Sequence, residues 1–131
     1  MNKRIKSLVL AAVMVIMFAV PVMAVTIKFN FRVEDAEDTS PVAYSGVAEK
    51  DNYNNQAFIE CTNSNITEND DFGFWVIKQD SDAAMTKYIP ATANTGTYRP
   101  TYIEQWNYGY NYRLKGQTFL YYVKVEGNFE P

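Results

Sequence analysis

Residues 25–33 read VTIKFNFRV, and this stretch decides the fold class. Its odd-numbered residues are all apolar, and the residues between them are polar or charged: Val25, Ile27, Phe29, Phe31 and Val33 against Thr26, Lys28, Asn30 and Arg32. Successive side chains of a strand point to opposite faces of a sheet. The alternation therefore predicts a strand with one face in a core and the other in water.

Further apolar-patterned segments follow along the chain, and turn-rich segments separate them. Strands are predicted near residues 42–47, 55–62, 72–78, 84–89 and 97–103. Pro90 and Pro100 place parts of the last two segments at sheet edges, because proline cannot donate to a strand ladder. No window after residue 24 has a sustained helical period. The pattern predicts an all-β fold, a single antiparallel β-sandwich of about seven strands.

Residues 107–116 read NYGYNYRLKG, with tyrosine at positions 108, 110 and 112. Lys115 and Gly116 are predicted to form the turn of a hairpin whose second strand is the run TFLYYVKVE. That register sets Tyr110 opposite Tyr121, on the same face as Trp106, and predicts that the tyrosine row packs into the core. The alternative is a row of rings that faces outward and binds a ligand.

Two aromatic side chains are candidates for positions outside the core. Tyr122 falls on the opposite face of the hairpin, where its ring would shield Gly109. Trp75 is out of phase with Phe74 and Val76, so either it or they must face away from the core. We expect Trp75 and Tyr122 to be ligand-binding residues that stack on sugars or contact a protein partner.

The first 24 residues have the pattern of a signal peptide. A basic start with Lys3 and Arg4 precedes a long apolar run, and the triplet VMA ends at Ala24. We expect cleavage between Ala24 and Val25, which makes residues 1–24 a signal peptide and residues 25–131 the β-sandwich domain. An uncleaved membrane anchor is the alternative. Cleavage predicts a secreted protein that is extracellular or associated with the cell envelope.

The charge balance narrows the range of partners. All 15 acidic residues but only 9 of the 12 basic ones follow residue 24, so that part of the chain has a net charge of −6. This balance disfavours nucleic acid as a partner, and membrane once the leader is removed.

Cys61 is the only cysteine, so no intramolecular disulfide can form, and its apolar neighbours predict a buried, inert thiol.

The chain contains no histidine, which removes the commonest general base and the main ligand of zinc and copper. The acidic residues cluster in predicted loops: Glu34, Asp35, Glu37 and Asp38, then Glu68, Asp70 and Asp71, then Asp80 and Asp82. Such clusters are usually solvated charge, and calcium binding at one of them is the alternative. We expect no catalytic residues, no metal and no cofactor, and hence a protein that is not an enzyme.

Several stretches carry a resemblance to a known family. A leader ends at Ala24, KFNFRV opens the first strand, Phe74, Trp75 and Val76 fall in mid-chain, and YGYNYRLKG leads to YYVKVEG near the end. The chain resembles the small secreted proteins of Gram-positive bacteria that are grouped as domain of unknown function 2712. The resemblance implies export and an extracellular setting, and it implies no catalytic residues.

These observations predict a secreted, non-catalytic binding or interaction module at the bacterial cell envelope. Its ligand would be an unidentified protein or glycan of that envelope. The alternative function is a secreted bacteriocin-like effector, or a companion protein of a bacteriocin system. Growth inhibition by the purified mature chain distinguishes the alternative from a binding module.

Overall fold

The computed structural model describes residues 25–34, 42–67, 72–118 and 122–131. The predicted leader therefore lies outside the described residues. Nine strands and no helix occur in these four ranges. The strands are β1 (Ile27–Glu34), β2 (Val42–Tyr44), β3 (Ala48–Glu49), β4 (Phe58–Ser64), β5 (Phe72–Lys78), β6 (Ile89–Ala91), β7 (Gly96–Tyr98), β8 (Asn111–Thr118) and β9 (Tyr122–Glu130).

The strands form two antiparallel sheets that pack face to face, which confirms the predicted β-sandwich. One sheet has the order β1-β9-β4-β7, and the other has the order β2-β8-β5-β6, with β3 also paired to β8. Nine strands are present where about seven were predicted, partly because β2 and β3 pair with successive parts of the same strand. Ser45 lies between β2 and β3. Its hydroxyl accepts a hydrogen bond of 2.8 Å from the Leu114 N–H, in place of the main-chain carbonyl that accepts such a bond in a regular strand pair.

The alternation of residues 25–33 has the predicted consequence from Ile27 onward, whereas Val25 precedes β1 and is exposed. Phe29, Phe31 and Val33 are buried, and β1 pairs with β9 so that Phe31 lies opposite Val125. Rings join the two sheets across the core, where the centroids of Phe29 and Phe74 are 6.0 Å apart in an edge-to-face arrangement. Burial of each such ring contributes about 1.5–3 kcal/mol, so this aromatic centre is a main source of stability.

The predicted hairpin at Lys115 and Gly116 is wrong. Strand β8 runs straight through both residues, and β8 and β9 belong to different sheets. Gly116 is a packing glycine rather than a turn glycine, because the Phe31 ring occupies the space that a side chain would need. Tyr110 is consequently 58% exposed rather than buried. Its predicted partner, Tyr121, lies outside the described residues.

The predicted strand at residues 84–89 is only partly present. Ala84 forms an isolated bridge to Ile77, and regular pairing with β5 begins at Ile89. The ladder is interrupted because the Thr86 hydroxyl accepts the Val76 N–H at 3.1 Å. Strand β6 contains Pro90 and is an edge strand, as predicted.

Cys61 lies in the core, as its apolar neighbours predicted. Burial, together with the charge of Glu60, raises the pKa of the thiol to about 12. At neutral pH the thiol is protonated and packs as a small apolar group. In the ranges that the structure describes, no helix has the length and apolar character needed to cross a membrane.

Candidate binding surface

The outer face of the five-stranded sheet carries Trp75. Along β5, Phe72, Phe74 and Val76 enter the core, so Trp75 and Gly73 point to the opposite face. Strand β5 lies between β8 and β6, and Trp75 pairs with Lys115 of β8, one residue beyond the last β5 residue that pairs with β6. The phase argument from the sequence is thereby settled in favour of an outward Trp75, whose side chain is partly exposed.

Four side chains from segments that are neighbours in the sheet line up across this face. We call them the aromatic row: Tyr44, Lys115, Trp75 and Tyr88. Lys115 is the register partner of both Tyr44 and Trp75. Phe74 pairs with Ile89, so Tyr88 continues the row on the far side of Trp75. The Trp75 and Tyr88 ring centroids are 4.6 Å apart at an interplanar angle of 52°. Lys115 Nζ lies 5.9 Å from the ring centroids of both Tyr44 and Trp75.

Asp82 holds the cationic part of the row in place. Its carboxylate lies 3.2 Å from Lys115 Nζ and accepts a hydrogen bond of 3.2 Å from the Tyr44 hydroxyl. Asp82 itself has a left-handed backbone with φ of 56°, which aspartate tolerates better than most residues. A solvent-exposed ion pair adds little stability. The contact therefore matters mainly because it orients Lys115 between the two rings.

Gly73 explains how Tyr88 reaches Trp75. A Cβ on Gly73 would overlap the ring of Tyr88 and the carbonyl oxygen of Ile89. Without a side chain at this position, the tyrosine ring can lie against the sheet and cover the strand. A glycine inside a predicted strand indicates that another group comes close to the backbone there, and Gly73 is such a glycine. Only the strand register shows that this group is the ring of Tyr88.

An open groove adjoins the row at Tyr88. Its volume is about 450 Å³, and its lining is largely apolar, including Ile89, Pro90, Pro100 and Ile103. The side chains of Tyr88 and Ile103 are both exposed there. The row and the groove together form an elongated surface, in which Lys115 lies between two rings and the contacts beyond Tyr88 are largely apolar.

The other predicted ligand-binding residue, Tyr122, lies elsewhere. It is the first residue of β9, pairs with Glu34 in the four-stranded sheet, and is 45% exposed. The structure does not bring Tyr122 and Trp75 together. The predicted shielding of Gly109 is wrong as well, because the nearest atom to a Cβ at Gly109 belongs to Glu49, at 3.9 Å.

The tyrosines of residues 107–116 divide between display and packing. Tyr112 is fully buried, and its hydroxyl accepts a hydrogen bond from the Asn107 N–H at 3.1 Å. Tyr108 and Tyr110 precede β8, and both are exposed. The ring of Tyr108 stacks on that of Tyr53 with centroids 4.9 Å apart and an interplanar angle of 11°. The inward prediction therefore holds for Tyr112 and fails for Tyr108 and Tyr110.

A buried lysine, Lys50, lies against the rings of Tyr102 and Trp106. Lys50 is fully buried, and its Nζ donates to Asn52 Oδ1 at 3.0 Å and to the main-chain oxygen of Pro131 at 3.1 Å. The same Nζ lies 4.9 Å from the ring centroid of Tyr102 and 4.8 Å from that of Trp106. Burial lowers the pKa of Lys50, and nearby acidic groups oppose the shift. Hydrogen bonds and aromatic faces thus compensate an ammonium group that water does not reach.

The described residues contain no group of three or more His, Cys, Asp and Glu side chains close enough to hold a metal ion. The acidic residues at 35–38 and 68–71, where calcium was the alternative, lie outside the described residues. The Asp82 carboxylate already contacts Lys115 Nζ and the Tyr44 hydroxyl.

Comparison of the chain with models of protein families finds no match, and comparison with curated proteins finds no relative. The resemblance to domain of unknown function 2712 therefore stays a prediction.

Proposed function

We propose that this protein is a secreted, non-catalytic binding module of the bacterial cell envelope, and that it binds its ligand on the aromatic row. The observation that carries the proposal is the alignment of Tyr44, Lys115, Trp75 and Tyr88 in one register across the outer face of a sheet. Large exposed rings arranged next to each other are typical of interaction surfaces.

The row needs little rearrangement to bind. Trp75 and Lys115 sit on central strands, and Asp82 restrains Lys115 from the side. A preorganised surface loses less conformational entropy on association, and more of the contact energy then appears as affinity. Tryptophan and tyrosine rings suit both protein partners and the C–H faces of sugars, so an envelope protein and an envelope glycan are both compatible ligands.

The proposed setting and the absence of catalysis rest on the sequence. The pattern of residues 1–24 supports export, and the resemblance to secreted Gram-positive proteins supports an extracellular location. The net charge of −6 after residue 24 argues against nucleic acid and anionic lipid as ligands. A chain without histidine lacks the commonest general base, which supports binding rather than catalysis.

Co-sedimentation of residues 25–131 with bacterial envelopes tests the proposal. We expect saturable retention on the envelopes and no effect on the growth of the cells that supply them. Envelopes treated with protease, or with enzymes that degrade glycans, then assign the ligand to one of the two classes. An absence of retention contradicts the proposal, and growth inhibition would favour the bacteriocin-like alternative.

A further inference from the structure

A second group of aromatic rings shares no residue with the aromatic row, and we call it the tyrosine platform: the exposed Tyr53 and Tyr108 and the partly buried Trp106. Tyr53 is 78% exposed and stacks almost parallel on Tyr108, which is 47% exposed. The centroid of Trp106 lies 6.5 Å from that of Tyr53. Trp106 packs against the core on one side and adjoins the two exposed tyrosine rings on the other, and such a group of aromatic rings forms a surface suited to a ligand.

Asn55 and the buried Lys50 hold the Trp106 ring of the platform in place. The Trp106 indole N–H donates to Asn55 Oδ1 at 2.9 Å, and the buried Nζ of Lys50 lies 4.8 Å from the Trp106 ring centroid. Lys50 is in turn tied to the main chain, because its N–H donates to Tyr110 and its carbonyl accepts from the Gly109 N–H. The indole therefore has a set orientation before any ligand arrives.

A polar groove adjoins the platform at Asn55. Its volume is about 650 Å³, and six of its lining residues are polar: Asn54, Asn55, Gln56, Arg99, Thr101 and Glu130. The amide nitrogen of Asn55 has no hydrogen-bond partner in the described part of the chain, since its oxygen alone is used by Trp106. Arg99 is exposed, packs its guanidinium 4.9 Å from the Phe58 ring centroid, and forms no ion pair with a described residue.

We propose that the groove and the tyrosine platform together form a binding site for an uncharged oligosaccharide. A sugar ring has a C–H face that packs on aromatic rings and a rim of hydroxyls that both donate and accept hydrogen bonds. Amide, hydroxyl, guanidinium and carboxylate groups meet that rim, because between them they offer both donors and acceptors. The presence of Glu130 in the same groove as Arg99 disfavours a strongly anionic ligand.

This site goes beyond the proposed function, which uses the aromatic row. The row offers a cation between rings and an apolar groove, whereas the platform joins rings to a polar groove. The two surfaces share no residue except for Thr101 at the adjoining grooves. One site can therefore be disabled without removing the side chains that form the other.

The two tryptophans of the chain make the site directly observable. In a Trp75→Phe variant, Trp106 is the only indole and reports on the platform. We would titrate this variant with the tetrasaccharides of β-1,4-glucose, β-1,4-N-acetylglucosamine, α-1,4-glucose and β-1,4-mannose, each to about 10 mM, which exceeds the millimolar dissociation constants of weak sites. At least one probe should give a saturable change in emission, and calorimetry on the parent chain should reproduce its affinity.

Variants then locate the binding. Adding Tyr53→Ala should weaken the response at least about tenfold, because an exposed stacking ring is lost while the core is untouched. Arg99→Ala should also weaken it, whereas Tyr110→Ala, which removes an exposed ring outside the platform, should not. No saturable change with any probe, or an equal response after Tyr53→Ala, would overturn the carbohydrate site. Envelope retention that survives either result would leave the proposed function standing, so the two failures are distinguishable.

Discussion

Gly116 of β8 lies directly against the ring of Phe31 in β1, across the core of the sandwich. A Cβ built on the glycine would be 2.7 Å from Phe31 Cδ2 and 2.9 Å from Phe72 Cζ. Real Cβ atoms do not approach so closely, so the two sheets reach their observed spacing only because residue 116 has no side chain.

We expect Gly116→Ala to destabilise the fold by about 1–3 kcal/mol, the range found when a filled core is overpacked. Gly46→Ala is the matched control, because the nearest atom to its Cβ is 3.9 Å away and the residue is exposed. The control should be neutral or slightly stabilising, since alanine restricts the unfolded chain. Urea melts measure both variants, and equal midpoints would contradict the packing role of Gly116.

A second prediction separates two tyrosines of the same motif. Tyr112→Ala removes a fully buried ring and should cost about 3–5 kcal/mol. Tyr110→Ala removes a ring that is mostly in water and should change the free energy of unfolding by less than about 0.5 kcal/mol. Urea denaturation compares them directly. A large loss at Tyr110 would mean that β8 has the register of the rejected hairpin.

The sequence was informative wherever structure depends on near neighbours. The alternation in residues 25–33 predicted β1, and the phase of Trp75 against Phe74 and Val76 predicted that either the indole or its two neighbours face outward. Gly116 was misassigned because a glycine between strand-like segments signals either a turn or a close approach, and only the opposite sheet decides between them. Tyr44 and Tyr88 were missed for the same reason: they join Trp75 through register with residues far along the chain.

We expect the Cys61 thiol to lower the free energy of unfolding at alkaline pH. Its pKa is raised from 9.0 to about 12 on folding, so below pH 9 the thiol is neutral in both states and contributes no pH dependence. Above pH 9 the unfolded chain releases the proton and the folded chain retains it, so stability decreases as pH rises, by up to about 1.4 kcal/mol per pH unit.

The difference in unfolding free energy between the parent and Cys61→Ala isolates this effect from the other groups that titrate in the same range. That difference should be constant below pH 8.5 and should shrink steadily between pH 9 and pH 11. A difference that stays constant across the whole range would show that the thiol is not shielded from water in the folded protein.

Trp75 gives the most direct test of the binding account, measured as the retention of residues 25–131 on envelopes. Trp75→Ala should weaken retention at least about tenfold, or about 1.4 kcal/mol, because it removes the ring between Lys115 and Tyr88. Tyr110→Ala, an exposed ring outside the row, should bind like the parent, and thermal melts of each variant confirm folding. Undiminished binding by folded Trp75→Ala, or a loss confined to Tyr122→Ala on the other sheet, would contradict the aromatic row as the binding surface.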